Sequence, residues 1–280
     1  MKQSLILVDP TLNPGHPLIQ ALSCILGPGQ ILSIVEGKNP EGYEPVVICA
    51  PSEARAVVTA YLKQHRDWLY DHPAGLLALG EEEEGSVWLR VAQELLGGSA
   101  LQITRISADA PVSAAIDFAL ALRAIATRPA DELSSEQLKD SVEAFLKEHN
   151  TCSLATVYQG EVRNTPLEYH YADGHIYCVS EGGVKFAGLL QNGEVSLTIY
   201  DPYRGFDNLS GMQLSGYASV PPIGSPDYVE ALSIRGLTWQ KAQALPVVLH
   251  VIDITLDEAI FLWSGFKKMG VGTRQVYRFG

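Results

Sequence analysis

The feature that most restricts this chain is a change of hydrophobic period near its middle. Up to about residue 127, short β-branched runs alternate with helix-length amphipathic stretches, whereas after His149-Asn150 the repeat becomes two and turn residues punctuate it. One core does not serve both patterns, and 280 residues exceed the ordinary size of a single domain. Two domains are therefore expected, over residues 1–128 and 134–280. Thr127-Arg128-Pro129-Ala130-Asp131-Glu132-Leu133 lacks apolar periodicity, contains a proline, and reads as the linker.

In the first half the runs Ser4–Val8, Gln30–Val35, Pro45–Cys49, Gly75–Leu79 and Leu101–Ile106 predict strands. Helices are expected near 16–26, 52–70, 85–97 and 111–127, with Ser52 as a cap, giving an α/β domain with a parallel sheet covered on both faces. The loop after the first strand reads Asp9-Pro10-Thr11-Leu12-Asn13-Pro14-Gly15-His16-Pro17. Its prolines remove N–H donors and Asp9 adds negative charge, so it is a poor seat for a phosphate. The Glu81–Glu84 run reads as a solvated face at a helix start.

In the second half a helix should follow Ser134 or Ser135, with Leu138, Val142, Phe145 and Leu146 on one face. Strands are predicted at Cys152–Tyr158, Val162–Tyr171, His175–Ser180, Glu194–Asp201, Gly211–Val220, Val247–Thr255 and Ala259–Trp263, with helices at Val184–Leu190 and Pro226–Ile234. Such a meander protects its edges by closing into a barrel. One cation stands out. Lys185 opens a helix directly after Glu181-Gly182-Gly183, where the helix dipole disfavours positive charge unless an anion compensates it.

Net charge is −12 and both halves are acidic, which argues against nucleic-acid binding by bulk electrostatics. No apolar run is long enough for a membrane helix, and the start Met1-Lys2-Gln3-Ser4-Leu5-Ile6-Leu7-Val8 reads as a strand rather than a signal peptide. Cys24, Cys49, Cys152 and Cys178 are widely spaced, without a metal-binding pattern, and read as reduced thiols of a cytoplasmic protein. His170 and His175 read as hairpin-surface histidines, so no metal site is expected.

Three segments in order, Ser153-Leu154-Ala155-Thr156-Val157, Val162-Arg163-Asn164-Thr165-Pro166-Leu167-Glu168-Tyr169 and Ile176-Tyr177-Cys178-Val179-Ser180-Glu181-Gly182-Gly183-Val184-Lys185-Phe186-Ala187, resemble the FMN-binding core of the pyridoxamine 5'-phosphate oxidase-like split β-barrels. The resemblance implies that Arg163 and Lys185 hold the flavin phosphate. It also implies that the backbone of Thr165, Pro166, Leu167 and Glu168 lies along the isoalloxazine edge, with Val179 and Ser180 beside it. Gln213 and Trp263, and with them Arg274, fall where the family places further flavin contacts. Because the flavin sites of this family lie between subunits, a homodimer is implied, with Gln213 and Trp263 able to come from the partner chain. The residues allow blander readings too: Arg163 as a solvated strand arginine, Trp263 as core, and Tyr169, Tyr171 and Tyr177 as strand packing.

Residues 42–51, continuing through His65-Arg66 to Gly80, resemble a flavodoxin-like domain, here with a degenerate phosphate loop and so expected to lack its own cofactor. The sequence departs from the vitamin-forming oxidases at Glu168, where they carry a lysine, and at Gly272-Thr273-Arg274-Gln275-Val276. The implied function is an FMN-binding oxidoreductase or electron-transfer flavoprotein using a small-molecule substrate or electron donor, and not a true pyridoxamine phosphate oxidase. The other readings are a haem- or ligand-binding barrel without redox turnover, or a cofactor-free scaffold. No catalytic acid or base is named.

Overall fold

The structure is a computed structural model and describes residues 3–80, 92–95, 101–106, 112–126 and 133–280. The chain divides into two compact units, Met1–Arg128 and Pro129–Gly280.

The first unit is built on a parallel sheet of β1 (Gln3–Val8), β2 (Gly29–Ser33), β3 (Tyr43–Pro51), β4 (Ala74–Leu79) and β5 (Leu101–Ile106). Its order, β2-β1-β3-β4-β5, is one of the two common doubly wound orders. The inner strands are apolar almost without interruption because both faces are covered. Leu5, Leu7, Val46, Ile48 and Leu76 pack with Val58, Tyr61 and Leu62 of α2 (Arg55–Gln64) on one face. On the other, Ile6, Val8, Val47 and Leu77 meet Leu18, Ile19 and Leu22 of α1 (Pro17–Leu26) and Phe118 and Leu122 of α4 (Val112–Ala126).

Local chemistry reshapes two expectations here. The strand expected to reach Val35 stops at Ser33, whose N–H donates to the Glu36 carboxylate at 3.1 Å as a 3-10 turn starts. The helix expected over 52–70 is a 3-10 turn, α2, and then α3 (Arg66–Leu69) after a break at His65. Ala54 stands at the cap of α2, and the Ser52 side chain lies outside the described residues. Of the helix expected at 85–97, residues 92–95 are described and helical, while Glu81–Glu84 and the linker up to 132 lie outside the described residues.

The second unit opens with α5 (Ser135–Glu148), capped reciprocally by Ser134 and Gln137. Its strands are β6 (Thr151–Tyr158), β7 (Glu161–Ala172), β8 (His175–Ser180), β9 (Glu194–Tyr200), β10 (Ser210–Ser219), β11 (His250–Trp263) and β12 (Arg274–Arg278). They run in the order β10-β9-β6-β7-β8-β11-β12, and a further pairing of β10 with β11 closes the barrel. Leu154, Leu197, Leu214, Ile254 and Phe261 fill it, with Val142, Phe145 and Leu146 of α5 against them.

The two strands predicted at Val247–Thr255 and Ala259–Trp263 are one. Asp257 and Glu258 look like a turn in the sequence, but Ser215 faces Glu258 and Gly216 faces Leu256, so Asp257 is taken up in a bulge and the strand continues. Gly216 permits this close approach, since a Cβ there would lie 2.3 Å from the Thr255 carbonyl oxygen. The short strand β12 and the helix α8 (Trp239–Gln243) were not anticipated.

Candidate functional site

The barrel is split between β7 and β8. Their ladder runs from Ala172 opposite His175 to Tyr169 opposite Cys178 and goes no further. Beyond it, residues 161–168 of β7 keep only β6 as partner, while Val179 and Ser180 keep only β11. The unpaired edge of Thr165-Pro166-Leu167-Glu168 therefore faces a gap bordered by Val179 and Ser180, and strand edges in such a gap leave backbone donors and acceptors free for a planar polar ligand.

Side-chain direction sorts these residues. Successive strand residues alternate in face, and along Arg163, Thr165, Leu167 and Tyr169 exposure falls from open to buried, so this row runs from the barrel mouth into the core. Leu167 packs against the core, and the Tyr169 hydroxyl donates to the Leu146 carbonyl at 2.9 Å. Val179 points outward under α7 (Pro226–Ile234), together with Tyr177 and Val251, so only its backbone borders the gap. The Ser180 hydroxyl is engaged with the Gly182 backbone, accepting from its N–H at 3.3 Å and donating to its carbonyl at 3.2 Å.

After Ser180 the backbone turns through Gly182 and Gly183, both at positive φ (124° and 113°), into α6 (Lys185–Gln191). The helix lies on β6. A Cβ on Gly188 would sit 2.8 Å from the Val157 carbonyl oxygen and 3.0 Å from the Thr156 Cβ. Thr156 is the ladder partner of Arg163, so α6 and Arg163 meet at one end of the barrel. Lys185 is one helical turn from Gly188 and is 7% exposed. Its ammonium donates to the Gly182 carbonyl at 2.5 Å and lies 5.1 Å from the Phe186 ring centre.

Among the described residues no carboxylate pairs with Lys185. Burial pulls its pKa below the usual lysine value, opposed only by the nearby Cys178 thiol. Arg163 is exposed and likewise has no ion-pair partner among the described residues. Two N–H groups at the start of α6 are already used within the turn: Phe186 donates to the Gly183 carbonyl at 3.1 Å and Ala187 to the Val184 carbonyl at 3.0 Å.

Gln213, Trp263 and Arg274 are not brought to Lys185 within the chain. Gln213 faces Thr198, which faces Ser153, which faces Pro166, so it lies three ladder steps from Pro166, roughly 14 Å at about 4.8 Å per step. Trp263 is further still. Ile252 pairs with Cys178, and the path along β11 from there to Trp263 covers roughly 35 Å of strand at about 3.3 Å per residue. Trp263 instead packs edge-on to Phe266 and lines a cavity of about 600 Å³ with Arg204, Asp207 and Lys268. Arg274 is paired with Leu262 at that same end.

One residue was missed. Arg235, at the end of α7, donates from Nη2 to Glu168 Oε2 at 2.6 Å, so the apparent anion at the end of the β7 segment is neutralised by a cation from a remote segment. No local sequence signal links positions that far apart.

Among the described residues no cluster of His, Cys, Asp and Glu is arranged to hold a metal, and no helix is long and apolar enough to cross a membrane. Residues 138–258 match the family model for pyridoxamine 5'-phosphate oxidase. No curated protein matches the sequence. Similar solved structures include an FAD-binding protein from Mesorhizobium loti, at 20% identity over 45% of this chain and 90% of that one, with a TM-score of 0.33. Others are HutZ, the haem storage protein from Vibrio cholerae (16% identity, 43% and 90% covered, TM-score 0.35), and Campylobacter jejuni ChuZ (16% identity, 60% and 69% covered, TM-score 0.41). The second unit, a barrel split between β7 and β8, is thus similar over residues 138–258 to the pyridoxamine 5'-phosphate oxidase family.

Proposed function

We propose that the second unit binds FMN in the gap between β7 and β8 and serves as a flavin-dependent oxidoreductase. The observation that carries this reading is Lys185, a buried lysine whose ammonium has, among the described residues, a backbone carbonyl as its one hydrogen-bond acceptor. A buried charge is costly unless it is paired, and a ligand phosphate would complete it. Arg163, at the same end of the barrel and without an ion-pair partner among the described residues, would be the second phosphate ligand. The free edge of Thr165, Pro166, Leu167 and Glu168, with the backbone of Val179 and Ser180, suits a flat ring rich in polar edge atoms.

When bound, FMN supplies a two-electron acceptor and donor, and the chain's own residues fix and orient it. Lys185 and Arg163 anchor the phosphate, Gly188 lets α6 lie close enough to β6 for that, and the strand edges orient the ring. Gln213 and Trp263 are read as contributions to the site of a second copy in a homodimer. The exposed apolar side chains Val157, Val162, Val184 and Leu190 beside α6 support a partner there. The 2-1-3-4-5 strand order of the first unit supports a flavodoxin-like domain. Asp9 turns its carboxylate onto the Thr11 N–H (2.9 Å) and hydroxyl (2.6 Å) of the proline-rich loop, which favours a domain without its own flavin. Four free cysteines suit a reducing, cytoplasmic setting.

The test is fluorescence-quenching titration of the purified protein with FMN, alongside Arg163→Ala and Lys185→Ala. Saturable quenching, weakened at least tenfold by each substitution, is expected. Absence of quenching, with a Soret band on adding haem, would replace flavin by haem.

A further inference from the structure

The gap between β7 and β8 has an electrostatic element that neither the family match nor the sequence motifs assign. Where the two strands part, at the pair Tyr169–Cys178, the next residue of β7 is Glu168, and Arg235 reaches it from outside the barrel. Arg235 follows the last turn of α7, where a cation is favoured by the helix dipole. Tyr228, Ala231 and Leu232 hold α7 against Tyr177, Val179 and Val251, and the Tyr228 hydroxyl donates to the Leu249 carbonyl at 2.9 Å. The guanidinium is thus delivered to the apex of the gap by a packed helix. Its side chain is 18% exposed and that of Glu168 54% exposed.

The pair itself adds little to stability, as exposed ion pairs generally do. The guanidinium has five N–H donors, and among the described residues only the bond to Glu168 is recorded. Its charge also reaches the strand beneath. The Cys178 thiol, held up by its hydrogen bond to Cys152 and by burial, is drawn back down by Arg235 and by Lys185. The gap is therefore bracketed by two cations, one buried at α6 and one held at its apex by a carboxylate.

On the reading that FMN occupies this gap, we infer that the Arg235–Glu168 pair sets the reduction potential of the bound flavin, with Arg235 stabilising the reduced, more negative form and Glu168 opposing it. Both act as positioning residues through their charge. The two halves of the pair must then have opposite effects, which a merely structural clasp cannot produce. Removing Arg235 leaves an unopposed carboxylate beside the ring, and removing Glu168 leaves an unopposed guanidinium.

The experiment is a potentiometric titration of the FMN-loaded full chain as wild type, Arg235→Gln, Arg235→Lys and Glu168→Gln, with the dissociation constant of oxidised FMN measured for each. Arg235→Gln is expected to weaken reduced FMN relative to oxidised FMN about tenfold, a negative shift of about 30 mV for a two-electron couple. Glu168→Gln should shift the potential the other way, and Arg235→Lys should stay near wild type. Unchanged potentials, or shifts of the same sign for Arg235→Gln and Glu168→Gln, would overturn the inference while leaving the flavin site standing. A wild type that takes up no FMN would overturn the flavin reading and this inference with it. If Arg235→Gln fails to fold, the sign of the Glu168→Gln shift still decides.

Discussion

Replacing Lys185 with methionine should have opposite effects on the ligand-free protein and on the complex. In the free protein Lys185 is 7% exposed, its ammonium is offset by one carbonyl at 2.5 Å and the face of Phe186, and among the described residues no carboxylate pairs with it. Methionine keeps the length of the stem, and its sulfur can pack on the same ring. The unfolding free energy without FMN should thus stay level or rise by up to about 1 kcal/mol. In the complex the variant loses a charge-assisted hydrogen bond to phosphate, worth about 1.5–3 kcal/mol, which weakens the dissociation constant roughly 10- to 150-fold. Urea denaturation of the apo-protein measures the first quantity and flavin fluorescence quenching the second. A variant that binds FMN within threefold of wild type, or one that loses more than about 2 kcal/mol without FMN, would refute the assignment of Lys185 as an uncompensated phosphate cation.

Three further substitutions probe the frame around the site. Gly188→Val drives a side chain into the Val157 carbonyl and Thr156, so denaturant midpoints should show a loss of about 2 kcal/mol, and FMN binding should weaken as α6 is pushed off β6. His149, at the end of α5, is lowered by burial but raised on balance by Asp201 at 3.0 Å and the Phe145 carbonyl. Its stabilising contribution is present below the unfolded pKa of about 6.5 and is lost as pH rises through the higher folded value. Asp201→Asn should flatten that pH dependence of unfolding, by no more than about 1 kcal/mol since Asp201 is half exposed. Tyr169→Phe removes the buried bond to the Leu146 carbonyl and should cost about 1–2 kcal/mol in thermal or urea unfolding.

The parts of the structure legible in the sequence are those written in local pattern. Period-two runs gave β6 to β10 within a residue or two, and the Ser134–Gln137 capping box marked the start of α5. Lys185 stood out because a cation at a helix start conflicts with the dipole unless something answers it. What the sequence hid is long-range. The bulge at Asp257 depends on Gly216 across the ladder, so Asp257 and Glu258 looked like a turn. The partner of Glu168 is supplied from the end of α7, which makes the carboxylate half of an ion pair. Strand register likewise separates Trp263 and Arg274 from Lys185, a distance that motif order along the chain does not reveal.

The most direct test of the central claim is calorimetric titration of the full chain with FMN and, in parallel, with riboflavin, which has the same ring and no phosphate. The account predicts one FMN per subunit and riboflavin at least tenfold weaker, because Lys185 and Arg163 act on the phosphate. Equal affinities for the two, or no heat of binding with either, would contradict it.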